Sequence, residues 1–238
     1  MNHSQRHRGP NPKDIGLFTE GKVSKIREAL SDYCWLLSKG YTSKSSLKLV
    51  GDRFSLVDRQ RLLLMRSGCS EMQAADRKQK SLPADQLADR DIFIDGLNLL
   101  ITLEAALSGG FIFIGRDSCL RDMSSIHGTY RKVQETQSAI ELVGQSLEEL
   151  KTGTVHWLLD KPVSNSGRLK TNLREIAEEN NWDWQIELCQ SPDYELKTAR
   201  ELTVTTDAVI LDDVDEWFNL NKYIVDQKIA DANCIDLN

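Results

Sequence analysis

"DIFIDGLNLLITLEAALSGG", residues 91–110, contains the transition that decides the fold. Ile92, Phe93 and Ile94 form a continuously apolar run, the pattern of a short strand covered on both faces. Asp95 and Gly96 interrupt it. From Leu97 the apolar character resumes as a helix, which Gly109 and Gly110 stop. A buried strand leading straight into a helix is the first half of a crossover between parallel strands.

The same alternation continues downstream. "FIFIG" (111–115) reads as a strand, and "SSIHGTYRKVQETQSAIELVGQSLEELKTG" (124–153) as mostly helix. "TVHWLLD" (154–160) is a strand, "SGRLKTNLREIAEENN" (166–181) a helix capped near Ser166, and "WDWQIELC" (182–189) a strand. "DYELKTAREL" (193–202) is a short helix, and "TTDAVILDD" (205–213) carries the fifth strand. Short apolar strands alternating with helices predict an α/β fold, a mostly parallel sheet flanked by helices, over residues 91–238.

The front of the chain has another rhythm. Residues 1–14 are polar and read as a disordered tail. Val23, Ile26, Leu30, Tyr33 and Leu37 form a helical stripe that Gly40 ends. "TSKSSLKLVGD" (42–52) reads as a second helix. Ser55 and Asp58 make a capping-box-like start to a third, which Gly68 ends. Residues 15–80 therefore form a small helical basic domain. The polar stretch 71–90, with "DRKQK" and Pro83, reads as connecting chain, partly helical, leaving 81–90 as the linker proper.

Charge divides the same way. Residues 1–80 hold 16 Lys/Arg against 8 Asp/Glu, whereas residues 81–238 hold 14 against 28. A basic front and acidic back suggest two duties, although solvated faces of opposite sign give the same count. The 5 Cys lie singly with no C-x-x-C, which argues against a disulfide framework or zinc ribbon and for reduced thiols. The first ten residues lack an apolar signal core, and no apolar stretch reaches the roughly 18 residues of a membrane span. A cytoplasmic protein without a membrane partner is expected.

Ligand sites in open α/β sheets lie beyond the carboxyl ends of the strands, and acids recur there. Asp95 ends the first strand. Asp117 and Asp122 follow the second, and Asp160 ends the third. Asp193 opens the helix after the fourth, and Asp207 and Asp212 flank the fifth. Converging carboxylates repel unless a cation joins them. An all-oxygen set suits Mg²⁺ or Mn²⁺, ions that activate water and polarise phosphoryl oxygens. Each Asp alone is equally a turn former or helix cap. Asn98 either holds the turn after the first strand or caps the next helix. Ser164, Asn165 and Ser166, with Gly167, Arg168 and Lys170, form either a phosphate cradle or a well-capped helix start. His127 lies near the acids as a substrate contact or, more simply, a structural histidine. His156 sits within a strand and reads as structural.

"FIDGLN" resembles the D-x-x-N start of PIN-like and NYN nucleases, and "SPDYELK" with "TTDAVILDD" resembles their later acids. The order is closer still to a prokaryotic family of unknown function, DUF434. There a small helical domain, matched by "REALSDYCWLLSKGYTSKSSLKLVGDRFSL", precedes a PIN-like domain, matched by "FIDGLNLLITLEAALSGGFIFIGRDSCLRDMSSIHGTYR" and "LLDKPVSNSGRLK". The resemblance implies a PIN-like, Rossmannoid sheet and a Mg²⁺/Mn²⁺-dependent nuclease acting on RNA in preference to DNA. Asp95, Asp122, Asp160 and Asp207 would hold metal, with Asp193 the helix acid and Asp212 a further late acid. Asn98, Arg121, Ser164, Asn165, Ser166 and Lys197 would meet the substrate, and a homodimer is compatible. The chain departs from the pattern with "LDDVDEW" in place of a Gly-Asp-x-Asp motif, and with an inserted strand bearing "GRDSCLRD". The alternative is a non-catalytic nucleic-acid binder that works through its basic helices. Small-phosphate chemistry on the same rim comes third.

Overall fold

The computed structural model describes residues 7–124 and 128–238. Five helices come first: α1 (Pro12–Leu17), α2 (Glu20–Ser38), α3 (Ser43–Arg53), α4 (Asp58–Ser67) and α5 (Glu71–Lys80). Then follow β1 (Ile92–Asp95), α6 (Gly96–Leu107), β2 (Ile112–Ile114), β3 (Leu120–Asp122), α7 (Thr136–Glu149) and β4 (Val155–Asp160). The chain continues through α8 (Ser166–Asn180), β5 (Trp184–Cys189), α9 (Pro192–Ala199), β6 (Leu202–Val204), α10 (Ala208–Leu211), α11 (Leu220–Lys228) and β7 (Cys234–Asp236).

Four strands make a parallel sheet in the order β5–β4–β1–β6. From β1 the chain steps outward to β4 and β5, then returns to the far side of β1 as β6. The reversal beside β1 opens a crevice at its carboxyl end. Strand alternation divides the apolar residues between two cores. Ile92, Ile94, Val155, Trp157 and Leu159 pack with α6, α7, α8 and α11. Phe93 and Leu158 face Leu196, Ile210, Leu211 and Trp217 on the other side. Covered on both faces, these strands had to be apolar throughout. His156 stacks on Phe93 at 4.2 Å between ring centroids, consistent with a structural role.

The strand expected at 111–115 does not join this sheet. It forms a second, three-stranded sheet, β3–β2–β7, antiparallel at β2–β3 and parallel at β2–β7. The helical front packs on that sheet rather than closing a core of its own. Phe113, Met123 and Leu237 share one apolar cluster with Phe18, Ile26, Leu30, Tyr33, Leu63 and Leu64. Phe18 meets Phe113 edge-on at 4.8 Å.

Other expectations need correction. Residues 7–14 of the polar tail pack on the fold: the Arg8 guanidinium pairs with Glu104, a fully buried carboxylate in the apolar helix α6. Tyr130 and Thr136 hydroxyls also donate to Glu104, each at 2.5 Å. Asp14 is buried against Arg59. Residues 71–80 are a full helix, begun by a reciprocal cap between Ser70 and Gln73. Ser55 does not cap α4, which starts at Asp58 after Val57, whose N–H is accepted by the Gln60 side chain. The long helix expected from 124 begins only at Thr136. The apolar run "AVIL" is the helix α10 rather than a strand, because the Asp207 carboxylate accepts the N–H of Val209 and starts a helical turn. Asp207 therefore follows β6 instead of preceding a strand, and Asp212 ends no strand.

All 5 cysteines are free thiols, three of them buried. Among the described residues no helix is long and apolar enough to cross a membrane.

Candidate active site: an acid-lined cleft

A cleft of about 570 Å³ opens at the carboxyl end of β1. Asp95, Asp122, Asp160, Asp193 and Asp207 all line it, together with Asn98 and Arg121. Four of these acids leave the main sheet or the helices that follow it. The fifth, Asp122, comes from β3 of the second sheet, so both sheets contribute to the cleft.

Asp95 is the deepest of the set, at 7% exposure. Its Oδ2 accepts the Thr205 hydroxyl at 2.9 Å. Burial pushes its pKa up to about 7; the charges of Asp207, Asp193 and Asp160 add to the rise, and the Thr205 bond opposes it. The Asp160 pKa is raised as well, by burial and then by Asp193. Gly96 follows because nothing larger fits. A Cβ there would stand 2.6 Å from Leu159 Cδ2 and 3.1 Å from the Leu158 carbonyl oxygen.

Asn98 holds the opposite loop. Its Oδ1 accepts both the N–H and the hydroxyl of Thr206, at 3.0 and 2.9 Å. The Asp207 N–H in turn donates to Thr205 Oγ1 at 3.0 Å. The first turn of α6 and the β6 exit loop are thus one hydrogen-bonded unit, and Asn98 caps nothing in its own helix. Asp122 is fixed twice, by the Thr102 hydroxyl at 3.0 Å and by the Ser124 N–H at 2.6 Å.

The remaining candidates lie elsewhere. Arg121 borders the cleft, but its guanidinium turns away to Asp117 at 2.9 Å and to the Arg66 carbonyl at 2.9 Å. Ser164, Asn165, Ser166 and Lys197 are not in the cleft lining. The Ser164 backbone pairs with residues 128–130, and the Asn165 amide donates to the Tyr130 carbonyl at 2.8 Å. Ser166 is buried as the first residue of α8 and does not cap it. Lys197 pairs with Asp213 at 3.1 Å. Asp117 and Asp212 belong to a buried network with Arg77, at 2.6 Å to each. His127 lies outside the described residues.

Sequence reasoning missed Thr205, Thr206, Met65 and Arg66. The threonines had a signal, two hydroxyls directly before Asp207 at a strand exit. Met65 had none, and Arg66 only its place among the basic residues of the helical front, since both reach the cleft from α4 by tertiary packing.

None of the five cleft carboxylates forms an ion pair among the described residues. Their all-oxygen chemistry fits a hard divalent cation. Among the described residues, no three His, Cys, Asp or Glu groups stand close enough to enclose an ion as placed.

Fold and site define a class: an α/β protein with an acidic cleft at the switch point of a parallel sheet, roofed by an N-terminal helical region. More particularly, residues 84–223 match the family described as Domain of unknown function (DUF5616), and the chain belongs to it. Residues 25–80 match Protein of unknown function (DUF434), the family that the helical front resembles. The chain is similar to "Uncharacterized protein MJ0935" of Methanocaldococcus jannaschii, 30% identical over 207 residues, which are 87% of this chain and 96% of that relative. No solved structure matches the chain. The first matched region ends at residue 80 and the second begins at residue 84.

Proposed function

We propose that the chain is a Mg²⁺/Mn²⁺-dependent nuclease with a PIN-like α/β domain, hydrolysing phosphodiester bonds in RNA. One observation carries the reading: five carboxylates without cationic partners among the described residues line one cleft at the end of β1. Burial, and after it the charges of Asp207, Asp193 and Asp160, raise the Asp95 pKa, and a divalent cation would relieve both the burial of an unpaired charge and the repulsion.

Asp95, Asp122, Asp160 and Asp207 would hold the ion partly through its bound waters, since no three of them stand close enough to enclose it as placed, with Asp193 at the rim. When bound, it supplies Lewis-acid polarisation of the phosphoryl oxygen and a water of lowered pKa. The chain's own groups set the geometry. Thr205 fixes the Asp95 carboxylate, and Asn98 and Thr206 lock the loop that presents Asp207. Thr102 and Ser124 aim Asp122 from the second sheet.

The rival reading is a binder acting through a basic helical front, where Lys22, Lys25, Arg27, Lys39 and Lys44 form no ion pair among the described residues while other basic groups are paired. Lys48, Arg53, Arg59, Arg61 and Arg77 are all paired with carboxylates. Single-stranded and structured RNA, incubated with Mn²⁺, should be cut by the wild-type protein and not by Asp95→Asn. Cleavage that survives this substitution removes the cleft from consideration. RNA binding that persists in EDTA, without any cutting, favours the rival.

A further inference from the structure

The helical front sends one positive group into the cleft. Met65 and Arg66, in the last turn of α4, are part of its lining. Met65 is exposed at 46% and Arg66 is half-buried. The only other guanidinium bordering the cleft among the described residues, that of Arg121, is committed to Asp117. Arg66 is different. Its Nη1 donates to two backbone carbonyls, Asp122 at 2.8 Å and Ser124 at 3.0 Å. Those bonds satisfy one nitrogen, and no carboxylate pairs with the guanidinium among the described residues.

Its placement is rigid. The Arg66 carbonyl accepts from Arg121 Nε at 2.9 Å, and the Ser67 carbonyl accepts the Arg116 N–H at 2.8 Å. The end of α4 is therefore pinned to the second sheet. The same Nη1 bonds tie the guanidinium to the strand exit that delivers Asp122. A guanidinium held by neutral carbonyls keeps its full charge and its remaining N–H donors for another anion. None of the five cleft acids pairs with Arg66 among the described residues, so the anion that meets its free donors is a group brought in by a ligand.

We infer that Arg66 is a phosphate-holding residue of the cleft, so the helical front completes the substrate site rather than merely adjoining it. The inference rests on the phosphodiesterase reading above and assigns the positive counterpart which that reading lacks. A phosphate neighbouring the scissile one meets Arg66 through charge-assisted hydrogen bonds. Met65 beside it offers an apolar surface to the attached nucleoside.

The test uses the full chain, Mn²⁺ and a fluorescein-labelled single-stranded RNA oligonucleotide. Wild type, Arg66→Gln and Arg66→Lys are compared by steady-state cleavage, and their binding by anisotropy across a salt series. Loss of hydrogen bonds to a charged group corresponds to about a 10- to 100-fold rise in KM for Arg66→Gln. kcat is expected to stay within about threefold, and the salt slope of binding to fall by about one. Arg66→Lys keeps the charge but loses the fork, and is expected to fall between the two. It carries the comparison should Arg66→Gln fail to fold. A fall in kcat at unchanged KM shows that Arg66 acts only by bracing Asp122, and overturns the inference. So does an unchanged KM with an unchanged salt slope. Wild-type protein that neither binds nor cuts the RNA overturns the underlying reading and the inference with it, an outcome separable because no variant is involved.

Discussion

Asp95 combines burial with proximity to three other carboxylates, and this has a cost in stability. Its pKa in the folded chain is about 7, against 3.8 in the unfolded one. Between those values the unfolded state releases a proton that the folded state keeps. Stability therefore falls as pH rises from about 4 to about 7, by on the order of 4 kcal/mol in total, and stays reduced above. Replacing Asp95 with Asn removes the penalty. Thermal melts should show a wild-type midpoint that drops across this range, and a variant midpoint that is flatter and higher at pH 8. A variant that is less stable at pH 8 contradicts the burial argument. Mn²⁺ added at pH 8 should raise the wild-type midpoint and leave that of the variant nearly unchanged, by linkage to binding in the folded state. Beside it, Gly96→Ala places a methyl against Leu159 and the Leu158 carbonyl. The gain in helix propensity is below about 1 kcal/mol, whereas overpacking costs about 1–3 kcal/mol. Urea denaturation should show a net loss of stability.

The elements around the cleft meet through short polar contacts. Asn98 bridges α6 and the β6 exit loop with a single carbonyl oxygen. Asn98→Ala leaves the Thr206 N–H without its partner, at a cost of about 1–3 kcal/mol. Hydrogen exchange should accelerate at residues 205–207, with little change in β4 or β5; uniform acceleration would mean that Asn98 does not lock this loop. Element by element, β1, α6, β4, α8 and β5 were legible in the sequence because their periodicities are unambiguous. "AVIL" was not, since a four-residue apolar run fits a buried strand or a helical turn equally well, and only the Asp207 cap decides. The helix α5 was obscured by its polar composition, although the Ser70–Gln73 cap lay in plain view. Likewise the acids at strand ends were visible, but which ones converge was not. Asp117 and Asp212 look like Asp122 and Asp207 along the chain, and only packing assigns the first pair to Arg77 and the second to the cleft.

At the scale of the molecule, Arg77 joins the parts. Buried to 2% exposure, it pairs with Asp117 ahead of β3 and with Asp212 after α10, linking α5 to both sheets. Burial pushes the Asp117 carboxyl up, but Arg121 and Arg77 outweigh it and hold the group below the usual carboxylate range. Arg77→Ala leaves a buried network one cation short, at a cost of about 3–5 kcal/mol. The shared core also predicts that calorimetry of the full chain shows one cooperative transition. Two resolved transitions would show that the helical front folds independently after all. The sequence suggested two domains because composition and charge change near residue 80. It did not reveal that Phe113, Met123 and Leu237 complete the front's core, because long-range pairing leaves no local mark.

That pairing also orders events during synthesis. β2 is flanked by β3 and β7, and β7 is made after every other element described above. Until Ile235 and Leu237 leave the ribosome, the helical front has an uncovered apolar seat. A nascent chain arrested before β7 should therefore remain protease-sensitive in α2 and α4, and the finished chain should close both units in one late, long-range step.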